Sequence, residues 1–310
     1  MNLLNNDKKL YETIVRMNTY NIAPALASTL KKKYDNVIVH GDYNYIVATG
    51  DIPIALVAHM DTVFTQSPSS IFYDPKAEIV WSLQGGVGDD RVGIFLILKM
   101  LQQTKLRPYI FFMNDEESGG LGARSLITDY PFCPWGINFF IELDRHGEKD
   151  AVFYNCDNKA FTDFICAYNF EKSDGIFSDI SVICPAWKIA GVNLSVGYDN
   201  EHSVLEIWNV MYGYNTYNKL LQILNDKAPH FEYISGPLEY VCQRCGNKTT
   251  ITELIPVEFT EDDVKWLCID CITKENVNWC DECGEAFLGT GRICRRCQKY
   301  NDRSKYFEFD

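Results

Sequence analysis

The sequence has no apolar run that approaches the ~18–20 residues of a membrane-spanning helix. Its opening residues, 1–9, lack the apolar stretch of a secretory signal. Positive charge is scarce, since 29 Lys and Arg stand against 42 Asp and Glu and give a formal net charge of −13. That balance disfavours a general electrostatic attraction to nucleic acid or to an anionic membrane. We therefore expect a cytoplasmic protein with no membrane partner and no nucleic-acid partner.

Low-complexity tracts are also missing, and 14% of the 310 residues are aromatic, so the composition disfavours disorder. This length accommodates one large α/β domain with a small appendage, or two medium domains. The segment 227–237 carries Pro229, Gly236 and Pro237 and is typical of a linker. We predict a large domain over 1–226 and a cysteine-rich region over 238–310.

Short apolar runs alternate with segments of helical periodicity in the large domain. Continuous apolar runs suit strands that are buried on both faces, and they predict strands at 54–58, 79–83, 108–113, 137–143 and 191–196. Helices are predicted at 91–103, 121–128 and 160–169. Longer helices are predicted at 8–33, which Pro24 can split, and at 203–224, which Ser203 can cap. The alternation predicts a three-layer α/β sandwich.

Eight of the twelve cysteines form four Cys-x-x-Cys pairs in the last quarter of the chain. The pairs are Cys242/Cys245, Cys268/Cys271, Cys280/Cys283 and Cys294/Cys297. Two residues between thiolates allow a tight turn to direct both sulfurs at one ion, so this spacing favours structural zinc over disulfides. We predict two four-cysteine zinc sites in a zinc-ribbon region, formed by successive pairs, with interleaved pairing as the alternative. This region is a candidate site for a protein partner. The other four cysteines are predicted to be buried small hydrophobes.

Polar residues cluster where the predicted apolar strands end. The clusters contain His59 and Asp61; Asp89; Glu116 and Glu117; Asp144, Arg145 and His146; and Tyr198 with His202. Ligands bind outside the carboxyl ends of strands in an open α/β sheet, so these groups are expected to meet in one crevice. That many carboxylates require cations to neutralise them. Nitrogen and oxygen ligands without sulfur suit zinc, with manganese or cobalt as substitutes.

The order His-x-Asp, Gly-x-Asp-Asp-Arg-x-Gly, Glu-Glu, Asp and His resembles the co-catalytic di-zinc exopeptidases. That superfamily includes the zinc aminopeptidases, peptidase T, the glutamate carboxypeptidases and related amidohydrolases. The resemblance covers residues ~50–210 and implies two catalytic zinc ions bound by the crevice. It does not extend to the cysteine-rich region.

The resemblance also implies a role for each matching residue. Asp89 bridges the metals, His59 and Asp144 bind them with Glu117 and His202, Glu116 is the general acid/base, and Asp61 orients the ring of His59. A cis peptide bond between Asp89 and Asp90 is implied as well. Asp179 stands where the family has an Asp followed by His, but Ile180 follows it here, so it is predicted only as an outer carboxylate.

Spacing narrows the subgroup and the function. The 30 residues from His59 to Asp89 and the 58 from Asp144 to His202 leave no room for a lid or a dimerisation domain. We predict a compact metallopeptidase that cleaves an amide bond with metal-activated water, of the aminopeptidase-like exopeptidase type. The alternatives are a carboxypeptidase, a deacylase of small acylated molecules, and a non-catalytic zinc-ribbon adaptor. The predicted substrate contacts are the residues beside the ligands, Arg145, His146 and Tyr198. An arginine in the cleft would favour substrates with a free carboxylate, whereas an acidic cleft would favour substrates with a free amine.

Overall fold

The computed structural model describes residues 4, 6–236, 240–249, 254–260, 263–275, 277–282, 284, 286–295 and 297–298. The chain divides into two compact units, Met1–Ser235 and Gly236–Asp310, which we call the large unit and the cysteine unit. Each unit has its own hydrophobic core. Across these described ranges, no helix combines the length and the apolar character needed to cross a bilayer.

The large unit alternates strands and helices along the chain. Its described helices are α1 (Lys8–Val15), α2 (Thr19–Lys31), α3 (Arg91–Gln103), α4 (Leu121–Asp129), α5 (Lys159–Cys166), α6 (Asp179–Trp187) and α7 (Val210–Asn225). Its described strands are β1 (Val37–Val39), β2 (Tyr45–Ala48), β3 (Ile52–His59), β4 (Ile71–Asp74), β5 (Ile79–Ser82), β6 (Pro108–Met113), β7 (Phe139–Arg145), β8 (Asp150–Val152), β9 (Glu171–Ser173), β10 (Gly191–Ser195), β11 (Tyr198–Asp199) and β12 (Ile207–Asn209).

One eight-stranded sheet, in the order β1-β2-β6-β3-β7-β10-β8-β9, runs through the large unit. Its central strands β6, β3, β7 and β10 pair in parallel. The carboxyl ends of these four strands therefore lie at one edge of the sheet. A second sheet has the order β11-β12-β5-β4.

Side chains of β3 alternate between two hydrophobic cores, as in a strand that helices cover on both faces. Leu56 and Ala58 belong to the core that contains residues of α1, α2, α3, α5 and α7. Ala55 and Val57 belong to the core that contains residues of α4 and α6. The predicted three-layer α/β sandwich is therefore confirmed.

The start of the large unit corrects the predicted helix over 8–33. Two helices replace it, and Pro24 lies inside the second of them instead of at the break. Asn18 caps α2, because its side-chain oxygen accepts a hydrogen bond from Asn21 N at 3.0 Å. The break between the two helices thus lies at Asn18, whose side chain can cap the second helix.

The predicted helix over 203–224 also begins too early. Helix α7 begins at Val210, and its cap is Asn209, whose side chain accepts from Tyr212 N at 3.2 Å. Residues 207–209 form β12 instead, because pairing with β5 satisfies their backbone groups. Of the four cysteines predicted to be buried, Cys156 and Cys184 are buried, whereas Cys133 and Cys166 are only half-buried.

The cysteine unit is built from short strands around a small core. Its described elements are β13 (Tyr240–Val241), β14 (Lys248–Thr249), β15 (Leu254–Thr260), β16 (Asp263–Cys268), α8 (Ile269–Lys274), β17 (Val277–Trp279) and β18 (Ala286–Leu288). The last four strands form a sheet in the order β16-β15-β18-β17. Its core packs Leu254, Val257 and Leu267 against Cys242 and Cys268, so cysteines supply part of the little apolar material that this unit has.

Candidate metal centre

Three parallel strands deliver polar side chains to one edge of the large sheet. His59 is the last residue of β3, Glu116 and Glu117 follow β6, and Asp144 lies near the end of β7. Because the carboxyl ends of parallel strands meet at the same edge, these side chains converge. The sequence prediction of a common crevice rested on this topology.

Asp89 reaches the same edge from the loop that precedes α3. Asp90 caps α3 by accepting from Gly93 N at 2.9 Å, and its second oxygen accepts from His59 N at 3.2 Å. The peptide bond between Asp89 and Asp90 is cis, as the resemblance implies. Asp90 thus connects the start of α3 with the end of β3.

Asp89 belongs to two sets of donor atoms. In the first set, His59 Nε2 lies 2.8 Å from Asp89 Oδ1 and 3.5 Å from Asp144 Oδ1. In the second set, His202 Nε2 lies 3.1 Å from Asp89 Oδ2 and 3.0 Å from Glu117 Oε2. The donor atoms of each set lie within 4.8 Å of one another. Each set offers one imidazole nitrogen and two carboxylate oxygens, a combination that fits zinc and leaves a coordination position open.

Burial and neighbouring negative charges raise the pKa values of three carboxyl groups in the site. Burial, followed by Asp144 and Glu117, raises the pKa of Glu116 to about 8 against the opposing effect of His59. Burial and then Asp89 raise the pKa of Glu117 to about 7. Burial also raises the pKa of Asp144 to about 6. Glu116 and Glu117 therefore retain protons near neutral pH in the absence of a cation, so the site favours neutralisation by positive charge.

Asp61 bonds mainly to backbone N–H groups. Its two oxygens accept from Glu116 N and Glu117 N, each at 3.1 Å. Its Oδ1 also lies 3.3 Å from His59 Nδ1, although that nitrogen has no hydrogen bond of acceptable geometry within the described structure. Asp61 therefore fixes the Glu116–Glu117 turn and contacts the predicted ligand His59.

Asp179 is fully buried at the start of α6. Neither of its carboxylate oxygens has a hydrogen-bond partner among the residues described. Burial, followed by the charge of Glu116, raises its pKa well above the ordinary value. Asp179 therefore lies in the electrostatic field of the predicted base, outside both donor sets.

The three predicted substrate contacts line a cleft of about 140 Å³ beside the donor sets. The Tyr198 hydroxyl donates to Asp144 Oδ1 at 3.0 Å, so its first partner is a predicted metal ligand. Arg145 Nη2 lies 3.5 Å from Asp150 Oδ2. His146 Nδ1 lies 2.8 Å from Glu201 Oε1. Each side chain therefore has a partner within the protein.

Two supporting residues escaped the sequence analysis. The buried carboxylate of Glu206 accepts from three successive backbone N–H groups, those of residues 87, 88 and 89, at 2.6, 3.0 and 3.1 Å. Asn193 on β10 accepts from Asp144 N at 2.9 Å and donates to Asp144 O at 2.8 Å. The signals were present, because Glu206 stands alone between Leu205 and Ile207 and Asn193 interrupts an apolar strand. The helix predicted over 203–224 concealed the first signal.

In the cysteine unit, the sulfur atoms of Cys242, Cys245, Cys268 and Cys271 lie within 4.8 Å of one another. The sulfur atoms of Cys280, Cys294 and Cys297 form a second such group, and Cys283 lies outside the described residues. The two groups share one detail. Cys268 N donates to Cys242 Sγ and Cys294 N donates to Cys280 Sγ, both at 3.3 Å. The grouping follows successive pairs along the chain.

The fold and this set of side chains define the class of zinc-dependent metallopeptidases, as the resemblance predicts. Within the large unit, residues 40–170 match the profile of Peptidase family M28. No curated protein matches the sequence.

Several solved structures share the fold over about 72% of the chain. A tripeptidase from Staphylococcus aureus is 14% identical, with 72% of this chain and 97% of that chain covered and a TM-score of 0.59. A TET aminopeptidase from a marine sediment thaumarchaeon is 9% identical, with 72% and 98% covered and a TM-score of 0.57. The aminopeptidase PepT from Bacillus cereus is 14% identical, with 72% and 97% covered and a TM-score of 0.52. At these identities the likeness shows a common fold.

Proposed function

We propose that the protein is a di-zinc exopeptidase of the aminopeptidase type. The observation that carries the proposal is the position of Asp89, whose two oxygens face two different histidines in two donor sets. One shared carboxylate between two imidazole-carboxylate sets is the arrangement that a pair of divalent cations requires. His59 and Asp144 would hold one zinc ion, His202 and Glu117 the other, and cobalt or manganese would substitute.

The paired cations, when bound, lower the pKa of a water and polarise the substrate carbonyl. Glu116 would accept a proton from the attacking water and donate it to the leaving amine, because it lines the cleft beside Asp89 and Glu117 without belonging to either donor set. Asp61 holds Glu116 in place through its backbone N–H. Tyr198 orients Asp144 with a hydrogen bond of 3.0 Å.

The cysteine unit is proposed to bind two structural zinc ions. The first uses Cys242, Cys245, Cys268 and Cys271, and the second uses Cys280, Cys294 and Cys297 with Cys283. A protein partner for this unit is supported by two exposed tryptophans, Trp266 and Trp279. The cytoplasmic location is supported by the four Cys-x-x-Cys pairs, whose spacing favours zinc over the disulfides of secreted proteins.

The test is hydrolysis of matched substrates by the purified chain before and after chelation. Unblocked peptides and their N-acylated forms would be offered to the zinc-loaded and the chelated protein, with metal content measured by mass spectrometry. We expect release of amino-terminal residues that depends on zinc. Cleavage of N-acylated compounds alone would replace the aminopeptidase with a deacylase, and failure to cleave any amide with both metal sites filled would refute the enzyme.

A further inference from the structure

One acidic side chain of the cleft has no part in the proposed metal centre. The carboxylates that line the cleft are Asp89, Glu116, Glu117, Asp144 and Glu201. The first four are proposed as ligands or as the base. Glu201 immediately precedes the ligand His202 but belongs to neither donor set.

His146 fixes the position of Glu201. Glu201 Oε1 lies 2.8 Å from His146 Nδ1, and both side chains are about one-third exposed, at 32% and 36%. A carboxylate can only accept, so Nδ1 carries the proton and donates it. The second oxygen of Glu201 has no hydrogen bond within the described structure and is not enclosed, which leaves it open to a ligand in the cleft.

The one arginine that lines the cleft within the described residues is held by other groups. Arg145 Nη2 lies 3.5 Å from Asp150 Oδ2 and donates to the Asp174 carbonyl at 3.3 Å. Both contacts use Nη2, so Asp150 balances the charge of the guanidinium, whereas Nε is buried without a hydrogen-bond partner among the described residues. The cleft thus offers an unused anionic oxygen of Glu201, whereas the charge of its arginine is paired with Asp150, so the cleft favours a cationic group on the substrate.

We infer that Glu201, oriented by His146, binds the α-ammonium group of the substrate and so selects peptides with a free amino terminus. This rests on the proposed function. A hydrogen bond between an ammonium group and a carboxylate is charge-assisted and strong. An N-acylated peptide lacks that charge and adds bulk at the same point. The Glu201–His146 pair is thus a specificity device, separate from the residues that carry out hydrolysis.

The test compares Glu201→Gln with wild type on three substrates: a tripeptide amide with a free amino terminus, its N-acetyl form and its des-amino analogue. For the free amine, KM should rise by about 10- to 100-fold, as for the loss of a hydrogen bond to a charged group. Turnover number and zinc content should stay close to wild type. Kinetics with the des-amino analogue should be unchanged, because it has no group for Glu201 to bind. His146→Ala should give a smaller rise in KM, and Glu171→Gln, at a position 75% exposed on β9, should change nothing.

Three outcomes would overturn the inference. One is an equal loss for the free amine and the des-amino analogue, and another is an unchanged KM for the free amine. The third is loss of zinc from Glu201→Gln, which would assign Glu201 to the metal centre. Failure of the proposed function is distinguishable from these, because wild type itself would then cleave none of the three substrates or only the N-acetyl form.

Discussion

The two units hold their candidate metals in opposite ways. In the large unit, ligands as distant in sequence as His59 and His202 are brought together by a sheet whose faces are already covered by helices. In the cysteine unit, two residues separate the cysteines of each pair. Cys242, Cys268 and Cys271 themselves form part of the core. We therefore expect the large unit to fold without metal, whereas the cysteine unit should need metal in order to fold.

Chelation of the whole chain should produce the largest difference between the units. Structural zinc contributes roughly 10–16 kcal/mol to the folding of small zinc modules, which exceeds the stability of a typical domain. We expect amide protection in hydrogen exchange to vanish at 254–260 and 263–268 and to persist at 54–59 and 108–113. Cys268→Ser should reproduce the loss in the cysteine unit without chelator. Amide protection that survives chelation in both units would contradict the expectation that only the cysteine unit needs metal to fold.

Glu116→Gln should show that catalysis in the large unit is separable from metal binding. The amide that replaces the carboxylate cannot accept a proton, so kcat should fall by about 10²- to 10⁴-fold, the usual contribution of a positioned acid/base. Zinc content should stay the same, because Glu116 lies outside both donor sets. Glu171→Gln serves as the exposed control. Activity at the wild-type level in the Glu116→Gln variant would remove this residue from the mechanism.

Glu206→Gln should weaken zinc binding in the large unit only. The carboxylate of Glu206 holds three N–H groups of the loop that carries Asp89, and an amide offers one acceptor oxygen in place of two. Loss of such supporting bonds typically costs about 10- to 100-fold in metal affinity. Competition with a calibrated chelator would measure it. Equal weakening of the cysteine sites would mean that the two units are not independent.

The pH dependence of zinc binding should give the smallest effect when the affinity is compared over one pH unit near neutrality. The pKa values of Asp144, Glu117 and His202 are raised to about 6, 7 and 9, so protons compete with zinc below these values. The affinity of the large unit for zinc should therefore rise with pH from 6 to 9, by up to about tenfold per pH unit for each proton displaced.

The free energy of unfolding of the metal-free large unit should change with pH in the opposite direction. The folded metal-free state binds more protons at Glu117 than the unfolded state does between pH ~4.5 and ~7, so its stability falls over that range. Calorimetric zinc titrations and chelated melting curves would check both signs.

The features that could be predicted from the sequence are those that depend on local periodicity and on the order of motifs. The strand at 108–113 and the helix at 91–103 have the predicted bounds, because each is rich in apolar residues and is flanked by polar ones. The convergence of His59, Asp89, Glu117, Asp144 and His202 followed from parallel strand ends and from the family resemblance.

What escaped prediction depends on long-range pairing. The strand β12 exists because it pairs with β5, more than a hundred residues earlier in the chain, and no local periodicity records that partner. Glu206 and Asn193 act through backbone groups of other segments, so their own neighbours in sequence say little about their roles. The Glu201–His146 contact likewise joins two loops that only the folded sheet brings together.

The two backbone bonds of Asp61 have a consequence for how this enzyme could change. One side chain anchors consecutive residues, of which one is the proposed proton carrier and the other a proposed zinc ligand. A substitution that displaces this turn would alter reactivity and cation occupancy at the same time. A change at Asp61 would therefore affect reactivity and zinc binding together. Substrate preference is more readily altered across the cleft, at Glu201 and His146.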